Sequence, residues 1–115
     1  MFIVKRPELM KMLKENNNVV YSEVNEYCID GLYIGKYLGE HDFMTKDLLE
    51  NIKINDRNGI FWEELDKMKE DSNYKSEIDF DRESRDGMFD DEQEYLIYEN
   101  KDIERLINNL KSVSL

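Results

Sequence analysis

Ile103, Leu106, Ile107, Leu110 and Val113 recur at steps of three and four residues, with Glu, Arg, Asn and Lys between them. A helix of 3.6 residues per turn gathers those five on one side and leaves the polar residues on the other. A stripe of this kind needs a packed surface to lie against, which argues against a wholly disordered chain. Asn100 is placed to cap this helix at its start.

The rest of the chain reads as a mixture of helices and strands that could supply that surface. Pro7 suits the first turn of a helix over Pro7–Glu15, where its missing N–H would be unpaired anyway. Leu9, Met10 and Leu13 give that helix an apolar stripe, and Asn16-Asn17-Asn18 ends it. Val19 to Leu38 reads as strand, folded back by a two-residue Asp30-Gly31 turn between Tyr27-Cys28-Ile29 and Leu32-Tyr33-Ile34. Both central positions of such a turn require positive φ, which suits Asp-Gly. Thr45 can cap a helix to Ile52 that turns Leu48, Leu49 and Ile52 inward. Asp56-Arg57-Asn58-Gly59 reads as a turn, and Ile60–Glu70 as a helix burying Phe61, Leu65 and Met68 with Trp62 at the stripe's edge. Glu77–Glu83 alternates like a strand, Ser84–Asp91 reads as a loop, and Glu94–Glu99 as a short strand. Gly31, Gly35 and Gly39 mark turns, a bulge or a close backbone approach.

These elements predict a single α+β domain over 1–115, with a small antiparallel sheet and about four helices. A chain of 115 residues is long enough for one core without disulfides or metal. The acidic segment at 72–93 is where any local disorder would fall.

Net charge is −11, and it is unevenly spread. Residues 1–62 carry ten acids and eight bases, 63–94 fourteen acids and five bases, and 95–115 three of each. A field so polarised repels nucleic acid and anionic membranes and attracts a basic protein. Cys28 has no second cysteine to pair with and reads as a small buried hydrophobe. The start Met1-Phe2-Ile3-Val4 is too short and too quickly followed by Lys5-Arg6-Pro7 for a signal peptide, and no apolar run approaches the roughly 20 residues of a membrane span. A cytoplasmic protein is expected.

Within the acidic segment, Glu77, Asp79, Asp81 and Glu83 occupy alternate positions around Ile78, Phe80 and Arg82. In a strand the four carboxylates would share one face at about 6.6 Å intervals, near two axial steps of a DNA strand at about 3.4 Å each. Ile78 and Phe80 would back them from the other face. Asp86, Asp90, Asp91 and Glu92 extend the acidic surface, and Met88-Phe89 offers an apolar anchor within it.

Three kinds of catalytic or metal chemistry fit the residues poorly. Asp79, Asp81, Glu83 and Asp90 resemble half of a calcium loop, but Ser84 stands where the sharp turn needs Gly, and Arg82 and Arg85 put positive charge inside. Glu99-Asn100-Lys101 with Asp90 or Asp91 has the spacing of a metal-dependent nuclease, without the basic track a nucleic-acid substrate would need. His41, the sole histidine, sits between Glu40 and Asp42; it could act as a general base but reads as an exposed loop side chain. No cofactor or metal is expected.

In size, charge and carboxylate spacing the chain resembles DNA-mimicking inhibitors of defence or repair enzymes, many of them encoded by phages. The resemblance implies a non-enzymatic inhibitor or adaptor that docks its carboxylates on a basic, nucleic-acid-handling partner protein. Glu77, Asp79, Asp81, Glu83, Asp86, Met88, Phe89, Asp90, Asp91 and Glu92 are the partner-binding candidates. The alternatives are an assembly module forming a homo-oligomer and a small divalent-metal enzyme using Glu99 and Lys101.

Overall fold

A computed structural model describes residues 1–16, 18–55 and 59–113. Among them are six strands and three helices: β1 (Phe2–Lys5), α1 (Arg6–Asn16), β2 (Asn18–Val24), β3 (Ile29–Tyr37), β4 (Phe43–Asp47), α2 (Phe61–Glu70), β5 (Ser84–Arg85), β6 (Glu94–Tyr98) and α3 (Asn100–Lys111). The strands form one antiparallel sheet in the order β1-β6-β2-β3-β4-β5. The α+β class holds, with a larger sheet and one helix fewer than the sequence predicts. The missing helix is the one expected from Thr45. That stretch is β4, in which Thr45 pairs with Gly35 and its hydroxyl lies 2.8 Å from the Tyr21 phenol. β-branched Thr and aromatic Phe43 suit a strand, and pairing with β3 overrides the capping signal.

The core lies between the sheet and α1. Leu9 and Leu13, one turn apart, press on Val19 and Tyr21 of β2, Tyr95 and Ile97 of β6, and Phe43. Alternation in the strands brings these to one face. Tyr21 is the hub, stacked on Tyr33 at 5.2 Å and edge-on to Tyr95 at 5.3 Å and Phe43 at 6.0 Å. Such pairs add to the burial of their area. A Cβ at Gly35 would stand 3.0 Å from the Tyr21 ring and 3.3 Å from Leu13, so a bare backbone lets helix and ring close in.

The β2–β3 hairpin forms, but its turn is Asn25–Cys28, closed by the Asn25 amide donating to the Cys28 carbonyl at 2.9 Å. Asp30 and Gly31 lie inside β3. There the register skips, with Tyr21 opposite Tyr33 and Glu23 opposite Asp30. Gly31 takes φ +71° in that bulge, so the glycine's conformational freedom serves a kink in the strand rather than a turn. Cys28 is exposed at the turn instead of buried.

Two further expectations change. Glu99, not Asn100, precedes the first residue of α3, and its amide donates to Asp102 Oδ2 at 3.0 Å. On α2, Phe61, Leu65 and Met68 are only half-buried, while Glu64 between them is 1% exposed. The Glu64 carboxylate accepts from the Tyr74 hydroxyl at 2.9 Å and the Ser76 hydroxyl at 2.9 Å, tying α2 to the chain that follows it. The turn expected at Asp56-Arg57-Asn58-Gly59, and Asn17 of the first helix stop, lie largely outside the described residues. No helix among the described residues is long and apolar enough to cross a membrane.

Candidate functional site

The alternating carboxylates do not form a strand. Ile78 makes one isolated bridge to Ile52, and the chain turns at Phe80-Asp81 before β5 begins at Ser84. Asp79 drives that turn: its Oδ1 accepts the Asp81 amide at 3.0 Å, the local side-chain bond that lets Asp compete with strand pairing. Asp79 is therefore half-buried while Glu77, Asp81 and Glu83 are exposed, and Glu83 lies 3.9 Å from Lys46. An even ladder of charges along one face is absent. Ile78 and Phe80, expected behind it, are 65% and 48% exposed.

The second half of the candidate set behaves differently. Asp86, Met88, Phe89, Asp90, Asp91 and Glu92 form one loop between β5 and β6, fastened at both ends. At its start, the Asp86 amide donates to the Phe43 carbonyl at 2.9 Å and the Gly87 amide to Asp42 Oδ1 at 3.1 Å. At its end, Glu92 N–H donates to Asp90 Oδ1 at 3.0 Å, Arg6 N–H to the Gln93 carbonyl at 3.1 Å, and Lys5 reaches Glu92 at 2.8 Å.

Beneath the loop lies Arg6, the first residue of α1. Its guanidinium is 4% exposed and donates to the His41 carbonyl at 3.3 Å, Asp42 Oδ1 at 3.5 Å and Asp86 Oδ2 at 3.4 Å. It is sandwiched between Phe43 at 5.4 Å and Phe89 at 5.6 Å from the ring centroids. Its Nε has no partner. Asp42 is the other anchor: its Oδ2 accepts from Arg85 at 3.0 Å. Burial pushes the Asp42 carboxyl up, but the Gly87 and Phe43 amides and the Arg85 guanidinium outweigh it and hold the group below the usual carboxylate range. Sequence reading missed Arg6 and Asp42, which stand 36 residues apart beside a proline and a histidine and share no motif.

On this base the loop presents its apolar pair outward. Met88 is 72% and Phe89 57% exposed, and the exposed Asp90, Asp91 and Glu92 follow them in the chain. Phe89 has φ +52°, uncommon for a bulky residue and stable only where the surroundings enforce it. Glu23 is pushed up, by burial first and then by Asp86, Asp30 and Asp47, and the Tyr33 phenol is pushed up to about 12 by burial and neighbouring carboxylates.

Metal chemistry gains no support from the geometry. Among the described residues no three His, Cys, Asp or Glu groups are placed to hold an ion, including the calcium-like and nuclease-like sets. The Glu99 carboxylate lies 3.2 Å from the Met1 amine. His41 is exposed and contributes its carbonyl to Arg6. No family model, curated protein or solved structure matches the chain.

Proposed function

We propose that the protein is a non-enzymatic inhibitor or adaptor that binds a basic partner protein through the Asp86–Glu92 loop. The observation that carries this reading is an exposed Met88-Phe89 tip on a loop pinned by the buried Arg6, Asp42 and Asp86 side chains. A loop already held in one conformation loses little freedom on binding, so contact is not offset by ordering. An apolar anchor supplies affinity that surface charge does not, and the carboxylate rim supplies steering and choice of partner.

The net charge of −9 across residues 63–94 favours a partner whose surface is built for phosphates, such as a nucleic-acid-handling protein. With the 77–83 ladder broken by its turn, the likeness to DNA rests on field and not on phosphate-like spacing. Glu77, Asp81 and Glu83 contribute to that field at a distance from the anchor.

Affinity capture from the source cell tests this. The captured protein should be basic and be released between about 0.05 and 0.5 M salt, and duplex DNA should compete with the bait for it. Met88→Ser with Phe89→Ser should abolish capture, and Asp90→Asn, Asp91→Asn and Glu92→Gln together should weaken it at least tenfold (about 1.4 kcal/mol). A captured protein that binds the Met88/Phe89 double variant as well as wild type would overturn the loop as the recognition element.

A further inference from the structure

The stripe on α3 is in the open. Ile103 is half-buried, and exposure climbs along the helix from Leu106 at 37% and Ile107 at 43% to Leu110 at 65%, with Val113 just past its end at 74%. No residue of α3 is buried, and the helix touches the sheet where it leaves β6. The radius of gyration is 16.1 Å, against about 13 Å for a compact domain of this length. At the foot of α3 a groove of about 770 Å³ runs along the ends of β1, β2 and β6, lined by Phe2, Val19, Ile97 and Ile103.

We propose that this face pairs with itself: α3 packs antiparallel against α3 of a second copy, about a two-fold axis passing between Leu106 and Ile107. That register sets Leu110 of each copy against Ile103 of the other at the mouth of the groove. A two-fold contact has to be self-complementary in this way.

Charge selects a second copy over a basic partner. Residues 95–115 carry three acids and three bases, while the chain as a whole carries −11. Two copies repel across most of their surface and can meet here, and a basic protein is drawn to 63–94 instead. Area agrees. Leu106, Ile107, Leu110 and Val113, with Met1 and Phe2 beside them at 59% and 42% exposure, leave an apolar patch of roughly 600 Å² per copy, the top of what monomers expose. Two such patches total about 1,200 Å², the lower bound for a stable specific interface.

Sedimentation from about 1 to 300 µM should show a monomer–dimer equilibrium. It should tighten between about 0.05 and 0.5 M salt, because screening relieves repulsion between two acidic chains. Partner binding through the loop should weaken over the same range, so the two readings fail separately. Leu110→Glu should raise the dimer Kd at least 100-fold with circular dichroism unchanged and a Tm matching that of dilute wild-type protein. In a Cys28→Ser background, Ile103→Cys mixed with Leu110→Cys should give a mixed disulfide faster than either variant links to itself. A monomer across the whole range, or a dimer indifferent to Leu110→Glu, would overturn the proposal. If Leu110→Glu unfolds the chain, the mixed disulfide decides, and its absence counts as refutation.

Discussion

Arg6 and Asp86 meet at 3.4 Å with both side chains buried, 4% and 6% exposed, although eighty residues separate them in the chain. Asp42 completes the cluster and is itself held by Arg85. The arrangement joins the start of α1, the approach to β4 and the loop leaving β5, three segments with no local reason to meet. Its bonds to Arg6 are long and one guanidinium nitrogen is unpaired. Such a cluster specifies where the loop sits more than it adds stability, since desolvation offsets much of the Coulomb attraction.

Removing the cation exposes that cost. Arg6→Met should destabilise the fold by about 3 kcal/mol, because two buried carboxylates lose their counter-charge while Asp42 keeps only Arg85. Urea unfolding measures it, with unchanged m-value. Asp86→Asn should cost less than Arg6→Met, since Arg6 retains Asp42. The reverse order would mean that the loop is held by Asp86 alone.

Stability should have an acid limb and a weak slope of opposite sign above it. Burial raises the Asp42 and Glu64 carboxyls, yet their hydrogen bonds win and both lie below their ordinary values. Their contribution is therefore complete above the unfolded value of about 4 and is lost as pH falls through the lower folded value. Glu23, pushed up mainly by burial, disfavours folding when ionised, so the fold gains as pH falls from neutrality towards that unfolded value. Thermal unfolding from about pH 2 to 8 should peak between the two regimes. Asp42→Asn should shrink the acid drop, and Glu23→Gln should remove the upper slope and raise Tm at pH 7. A flat profile with Glu23→Gln unchanged would contradict both assignments.

The β3 bulge should be intolerant of a side chain. At Gly31 a Cβ would overlap the Tyr33 ring, and φ +71° already disfavours any L residue. Gly31→Ala should cost about 2 kcal/mol or more, combining backbone strain with displacement of a ring stacked on Tyr21. Gly39→Ala, where a Cβ meets nothing within 4 Å, should stay within about 0.5 kcal/mol. Equal costs at the two positions would rule out the bulge as the reason.

Periodicity in the sequence identified α1, α2, α3 and β6, and turn chemistry the existence of the β2–β3 hairpin. Those features depend on neighbours within a few positions. It failed where a local signal had more than one use. Asp-Gly at 30–31 signals positive φ, which a turn and a bulge both need, and only pairing with β2 decided between them. Thr45 suits a helix cap and a strand alike, and the Tyr21 hydroxyl and β3 settled it. Nothing near Glu64 in the sequence shows that Tyr74 and Ser76 will satisfy a buried carboxylate there.

The same division runs through the candidate site. Charge counts and periodicity alone determined that residues 63–94 carry most of the negative charge and that α3 has one apolar face. Tertiary structure decided the rest: Asp79 bends the carboxylate row into a turn, and Arg6 and Asp42 hold the 86–92 loop. The α3 stripe is left without cover in a single copy. Charge and amphipathicity are properties of short stretches and survive in any fold. Which groups are desolvated together depends on contacts tens of residues apart, and those exist only once the sheet has formed.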